Sequence, residues 1–220
     1  MLAALLLLAT LPASAAEAPP RPGYVAVLGG AGPAFGSMAA FTQETAASPR
    51  AEASRGFGVS NVVGLRAGFW VPGSAWGAAL EGSTIMMPVG GGELRAWTLS
   101  ALLLARPKSW SSRRVFPYAG LGFGIFALDA RADFRPQTAA ALKTVELEAE
   151  TGRWTFDARL GVQARAAPRL LLLAEARLTR FDMDRDWTPS TWFGPPARHR
   201  NGIRADAVPL LLQAGAAVEF

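Results

Sequence analysis

Counted back from Phe220 in steps of two, the chain reads Phe220, Val218, Ala216, Ala214, Leu212, Leu210 and Val208, a face without a polar side chain. The positions between them, Glu219, Ala217, Gly215, Gln213, Leu211 and Pro209, are mostly small or polar. Successive side chains of a strand point to opposite faces, so this alternation separates an apolar side from a wetter one. Sustained over ~10 residues, it is the pattern of a membrane-crossing β-strand with lipid on one face and a lumen on the other. Backbone groups in lipid must all be bonded within the protein, so such strands have to close into a ring.

The opposite end carries an export pattern. Leu2 to Leu11 is an apolar run too short to span a bilayer. Pro12 breaks it, and Ala13-Ser14-Ala15-Ala16 offers small residues to a signal peptidase. Residues 1–16 are expected to be a signal peptide cleaved after Ala15 or Ala16, leaving 17–220 as one barrel domain. No basic residue precedes the apolar run, which departs from the usual signal.

Composition narrows the partners. Hydrophobic residues make up 50% of the chain, there is no cysteine, and mean hydropathy is +0.20, yet no stretch is long and apolar enough for a helical span. Apolar surface without a helical span fits lipid-facing strands. The net charge of +5 survives removal of residues 1–16, which carry no charged side chain. No helical basic run or RNA-binding motif is present, so nucleic acid is not expected; the acidic partner expected is the phosphate-bearing lipid of the outer leaflet.

Eight alternating segments are expected, at roughly 24–35, 57–71, 76–86, 94–105, 115–135, 143–166, 169–181 and 205–220. Short connections follow the second, fourth and sixth (Pro72 to Ala75, Arg106 to Arg114, and about Ala166 to Pro168). Longer ones span roughly 36–56, Met87 to Glu93 and 182–204. Short periplasmic turns, longer outer loops and an even strand count place both termini on the periplasmic side. Parity sends Leu65, Phe69, Leu80, Leu121, Phe123, Phe156 and Leu160 to lipid. It sends Arg66, Glu81, Asp157, Arg159, Gln163, Arg165, Glu175, Arg177 and Gln213 to the lumen as a polar network. An arginine on the lipid face at mid-bilayer would cost about 2–4 kcal/mol. Trp76, Trp97, Trp110, Trp154, Tyr24 and Phe220 fall near strand ends, where aromatic girdles form.

The stretch Pro117-Tyr-Ala-Gly-Leu-Gly-Phe-Gly-Ile-Phe-Ala-Leu-Asp129 resembles a transmembrane strand of the small OmpA-like outer-membrane barrels, the group holding OmpA, OmpX, OmpW and opacity-type proteins. The terminal Phe220 resembles the C-terminal assembly signal of such barrels. The resemblance implies an all-β, eight-stranded antiparallel transmembrane meander in the bacterial outer membrane. It also implies lipopolysaccharide and the barrel-assembly machinery as partners, and a monomer. No wall-anchoring domain is carried over, because nothing follows the last strand.

Catalysis finds little support. The interior of an eight-stranded barrel is just wide enough for side chains to fill it, so the lumen charges are expected to form a mutually neutralising plug. The single histidine, His199, lies in Arg198-His-Arg-Asn-Gly202 with no serine within three residues, unlike the lipid A deacylases among such barrels. No second histidine or thiolate is available for a metal, and Gly90-Gly-Gly92 lacks the Gly-Lys-Ser/Thr context of a phosphate cradle. No enzyme, cofactor or metal site is expected. The role expected is structural, or interactive through surface loops with an extracellular protein. A narrow channel for small or amphipathic solutes is the alternative, and lipid A modification the second alternative.

Two pairings are also expected. Val71 opposite Trp76 places Arg66 against Glu81; a three-residue turn, Ala166 to Pro168, places Arg159 against Glu175 and Asp157 against Arg177. Beyond Ala127, the outward parity of the fifth segment turns to Asp129, Arg131, Asp133 and Arg135, and that of the sixth carries Glu146, Glu148 and Glu150. Alternation continues there, so a hairpin standing above the outer leaflet is expected, turning near Pro136 to Leu142.

Overall fold

The structure is a computed structural model that describes residues 21–43, 51–90, 92–110, 114–134, 145–187 and 200–220. The expected signal segment with Ala15 and Ala16, His199, and the 136–142 turn lie outside these residues. Ten strands run β1 (Gly23–Gln43), β2 (Ala51–Gly56), β3 (Val59–Trp70), β4 (Trp76–Val89), β5 (Gly92–Ala105), β6 (Val115–Phe134), β7 (Val145–Ala167), β8 (Leu170–Thr179), β9 (Phe181–Trp187) and β10 (Arg200–Glu219). All pairings are antiparallel, and β1 against β10 closes the ring. β2 and β3 both lie on β1, and β8 and β9 both lie on β10, so each pair is one interrupted stave and the barrel has eight.

Within the membrane band the alternation resolves as parity requires. Leu65, Leu80, Leu121, Phe156 and Leu160 point outward, and the charged residues assigned to the lumen are all buried. Small inward residues make room for large ones: Gly120 lies under Leu104, and a side chain at Gly68 would collide with the Tyr24 ring. Above the band the arrangement continues with a different outer face. Met87, Leu94, Leu128, Phe181, Met183 and Ile203 fill the interior as an apolar core. The outside carries charge, with pairs Arg180–Asp206 at 3.1 Å and Arg204–Asp184 at 3.1 Å. Lipid rejects such an outer face, and water accepts it.

Strand length exceeds the sequence expectation. β1 runs on to Gln43, β2 and β9 occupy parts of the expected loops 36–56 and 182–204, and β10 begins at Arg200. The hydrophobic band sets only the membrane height, and pairing persists beyond it because the interior remains apolar. The expected loop Met87 to Glu93 is instead a tight hairpin, with Val89 opposite Gly92. Tyr24, expected in a girdle, is buried in the lumen, while Trp76, Trp97, Trp154 and Phe220 do face outward. β6 and β7 pair through Asp129↔Glu150, Arg131↔Glu148 and Phe134↔Val145, so the backbone ladder of the expected outer hairpin is present.

The β3–β4 register is the expected one, with Arg66 opposite Glu81. The β7–β8 register differs by two residues: Arg159 faces Arg177, Asp157 faces Thr179, and Glu175 faces Gly161. A bulge between Arg165 and Ala167 and a two-residue turn, Pro168-Arg169, replace the three-residue turn. Proline suits such a turn, because it has no N–H to give to the ladder.

Candidate functional site

Three layers fill the barrel from bottom to top. The middle one is a charge cluster contributed by β3, β4, β7 and β8. Glu81 accepts from Arg66 Nη2 at 2.7 Å, from Arg159 Nη1 at 2.6 Å and from Arg177 Nη1 at 3.0 Å. Glu175 accepts from Arg66 at 2.6 Å, from Arg159 at 3.0 Å and from the Tyr118 hydroxyl. Asp157 accepts from Arg177 Nε at 3.0 Å and from Arg159 at 3.2 Å. These three arginine and three carboxylate side chains are 0–1% exposed. Like charges directly opposite, here Arg159 and Arg177, are unfavourable. Glu81 and Asp157 lie within reach of both and neutralise them. Ser83 and Thr98 satisfy the remaining Arg177 donors at 2.7 and 3.4 Å. A neutral cluster in which every charged group meets an opposite one is what buried charge requires, and here only the Arg159 Nε lacks a hydrogen bond.

Two expected ion pairs thus form diagonally, Arg159–Glu175 and Arg177–Asp157, although the expected register does not. Three members of the expected network lie apart. Arg165 approaches Glu219 at 3.4 Å, Gln163 accepts from Trp70 Nε1 at 3.1 Å, and both amide atoms of Gln213 have no protein partner. Sequence reading missed Tyr118, Ser83 and Thr98, whose inward parity was the available signal.

The bottom layer, at the mouth that carries both termini, is aromatic and basic. Trp70 meets Phe116 and Tyr118 edge-on at 6.0 and 6.4 Å. Arg106, the first residue after β5, turns back into the mouth and lies 4.3 Å over the Trp70 ring and 5.0 Å over that of Phe116. Arg165 lies 5.8 Å over the same Phe116. Charge is therefore polarised along the barrel. The middle cluster balances, and the outer extension pairs Arg153, Arg180 and Arg204 with Asp182, Asp206 and Asp184. The end that carries both termini holds Arg21, Arg106, Lys108, Arg114, Arg165 and Arg169, with Glu219 the acidic side chain among the described residues there. Among the described residues the basic excess gathers at this end.

The third feature is an edge. β7 pairs with β6 along its whole described length, but its pairing with β8 begins only at Asp157↔Thr179. From 145 to 156 its other side has no strand partner among the described residues, and β9 beyond the gap pairs only with β10. Side chains alone span the gap: Arg153 to Asp182 at 2.6 Å and Thr155 to the Arg180 carbonyl at 3.1 Å. Arg153 has inward parity, opposite buried Phe126, and is nonetheless 48% exposed, because no neighbouring strand covers it.

Among solved structures the chain is similar to OprG of Pseudomonas aeruginosa (TM-score 0.54, 15% identity, covering 91% of this chain and 97% of that one). It is similar to AlkL, determined by solid-state NMR in lipid bilayers (TM-score 0.52, 17% identity, 95% and 94% covered), and to Neisserial surface protein A (TM-score 0.50, 14% identity, 90% and 97% covered). At these identities the likeness is one of fold. No curated protein sequence matches the chain. Its sequence does match the family described as the outer membrane protein beta-barrel domain over residues 1–192, so the chain belongs to that family and is an outer-membrane β-barrel protein.

Proposed function

We propose that this barrel is a closed platform that presents strand edges outside the cell for contact with another protein. The observation that carries the reading is the β7 edge. Among the described residues, 145–155 have no strand partner on one side and are held by β6 on the other. Such an edge is a template onto which an extended segment can add a strand. The middle charge cluster supports the same reading, since six interlocked side chains obstruct the path that a channel would need. In the same proposal residues 1–16 are removed after Ala15 or Ala16, and Phe220, outward at the periplasmic rim, is read by the assembly machinery.

The test uses cells displaying the full chain and a variant in which residues 129–150 are replaced by a two-residue turn. The full chain should bind extracellular matrix or host cells, the shortened barrel should lose that binding, and neither should conduct in a planar bilayer. Equal binding by both would refute the edge reading. Hydrogen exchange adds a physical check: amides of 129–132 and the alternate amides of 145–150 that point to β6 should be protected in refolded protein, and those pointing to the open edge should exchange. A second reading, a narrow path for small solutes, is favoured by buried polar atoms of Ser60, Ser100, Gln163 and Gln213 that have no protein partner and suit bound water. Discrete conductance steps would select it.

A further inference from the structure

We propose that the periplasmic mouth is an oxyanion site, in which Arg106 and Arg165 share one phosphate group presented from the periplasm. The inference is independent of the outer edge. It starts from Arg106, which is 94% buried, with a relative exposure of 6%. Its backbone N–H is bonded to the Ala75 carbonyl at 2.8 Å, but its guanidinium has no hydrogen bond or ion pair among the described residues, and its Nε is fully enclosed. Every other arginine buried to this degree in the lumen reaches a carboxylate.

A guanidinium carries five N–H donors in a planar fork that fits the oxygens of phosphate or carboxylate. Trp70 and Phe116 supply flat faces to this one, and such contacts replace only part of the lost hydration. The nearest charges acting on it are Arg165, which repels, and Glu219, which is engaged with Arg165. Arg106 and Arg165 lie on one Phe116 ring, and Glu219, 3.4 Å from Arg165, is the acidic side chain acting on Arg106 among the described residues. Beside them the Gln163 Nε2, wholly buried, is a further donor without a protein partner. The surrounding rim adds Arg21, Lys108, Arg114 and Arg169, which would draw anions to the mouth. A phosphate oxyanion answers the donors and the charge together. It can arrive as free phosphate or as the headgroup of an anionic phospholipid in the periplasmic leaflet.

The full chain refolded into phosphatidylcholine nanodiscs allows a direct test, with the Trp70 indole N–H resonance as reporter. Inorganic phosphate should shift this resonance saturably, and chloride at matched ionic strength should not. Arg106→Gln should weaken the phosphate response about tenfold or more, the scale expected for losing charged hydrogen bonds. Glu219→Gln keeps both arginines and removes their competitor, so it should tighten binding even if Arg106→Gln fails to fold. Discs containing phosphatidylglycerol separate the sources. A resonance already displaced there, and insensitive to added phosphate, identifies the headgroup; an unchanged titration identifies the soluble ion; and the site stands in both. An equal response to chloride, no saturable response in either lipid, or weaker binding by Glu219→Gln would overturn the proposal.

Discussion

Glu81→Leu is the sharpest probe of the barrel interior. Glu81 accepts five hydrogen bonds from Arg66, Arg159 and Arg177. Without it, three buried arginines share Asp157 and Glu175, and the cluster carries one uncompensated positive charge. Breaking a buried pair by removing one partner costs roughly 3–5 kcal/mol, or about two to four powers of ten in the folding equilibrium. The double variant Arg66→Met/Glu81→Leu restores the balance, with Arg159 and Arg177 against Asp157 and Glu175. It should recover a large part of the loss, since an apolar pair of similar volume is often tolerated in such a place. The assay is urea unfolding in lipid vesicles, scored by the heat-sensitive gel mobility of folded barrels. A single variant within about 1 kcal/mol of the parent would show a hydrated, screened lumen and refute the plug.

Three further outcomes follow from particular residues. Gly36 has φ of +106°, and a Cβ there would collide with the Asp206 carbonyl across the closing seam, so Gly36→Ala should lower refolding yield and cost more than about 1 kcal/mol, measured in the same unfolding assay. Leu160→Arg, on the lipid face, should destabilise by about 2–4 kcal/mol in vesicles, and an unchanged midpoint would place Leu160 outside the hydrocarbon. His199→Ala should leave lipid A unchanged by mass spectrometry, as should deletion of the protein; a lost or gained acyl chain would revive the enzyme alternative.

Legibility in the sequence followed distance along the chain. The β3–β4 hairpin was readable because a short turn and strict parity fix the pairing, and Arg66 meets Glu81 as the spacing requires. The β7–β8 hairpin was not, because the two-residue turn and the bulge at Arg165 and Ala167 together move the register by two without altering the hydrophobic pattern. Parity survives a two-residue slip, so every lumen residue stayed inside while its opposite partner changed. Tyr24 was misplaced for a related reason: an aromatic near a strand end suits either a girdle or a filled mouth, and only the neighbouring Gly68 decides.

The sequence by itself determined the closed, lipid-facing barrel and the sorting of side chains between lipid and lumen, because alternation acts one residue at a time and lipid penalises each violation. The tertiary structure alone decided which charges meet. Arg177 finds Glu81 across 96 residues, and the two lie on strands joined only by the curvature of the ring. Ring closure also decided that, among the described residues, the basic excess gathers at the mouth that carries both termini and that Arg106 folds inward onto Trp70 without a carboxylate. Among the described residues the β7 edge between 145 and 156 has no strand partner for the same reason, since β9 follows β10 instead. These are properties of stagger and closure around the barrel, which no local pattern of residues encodes.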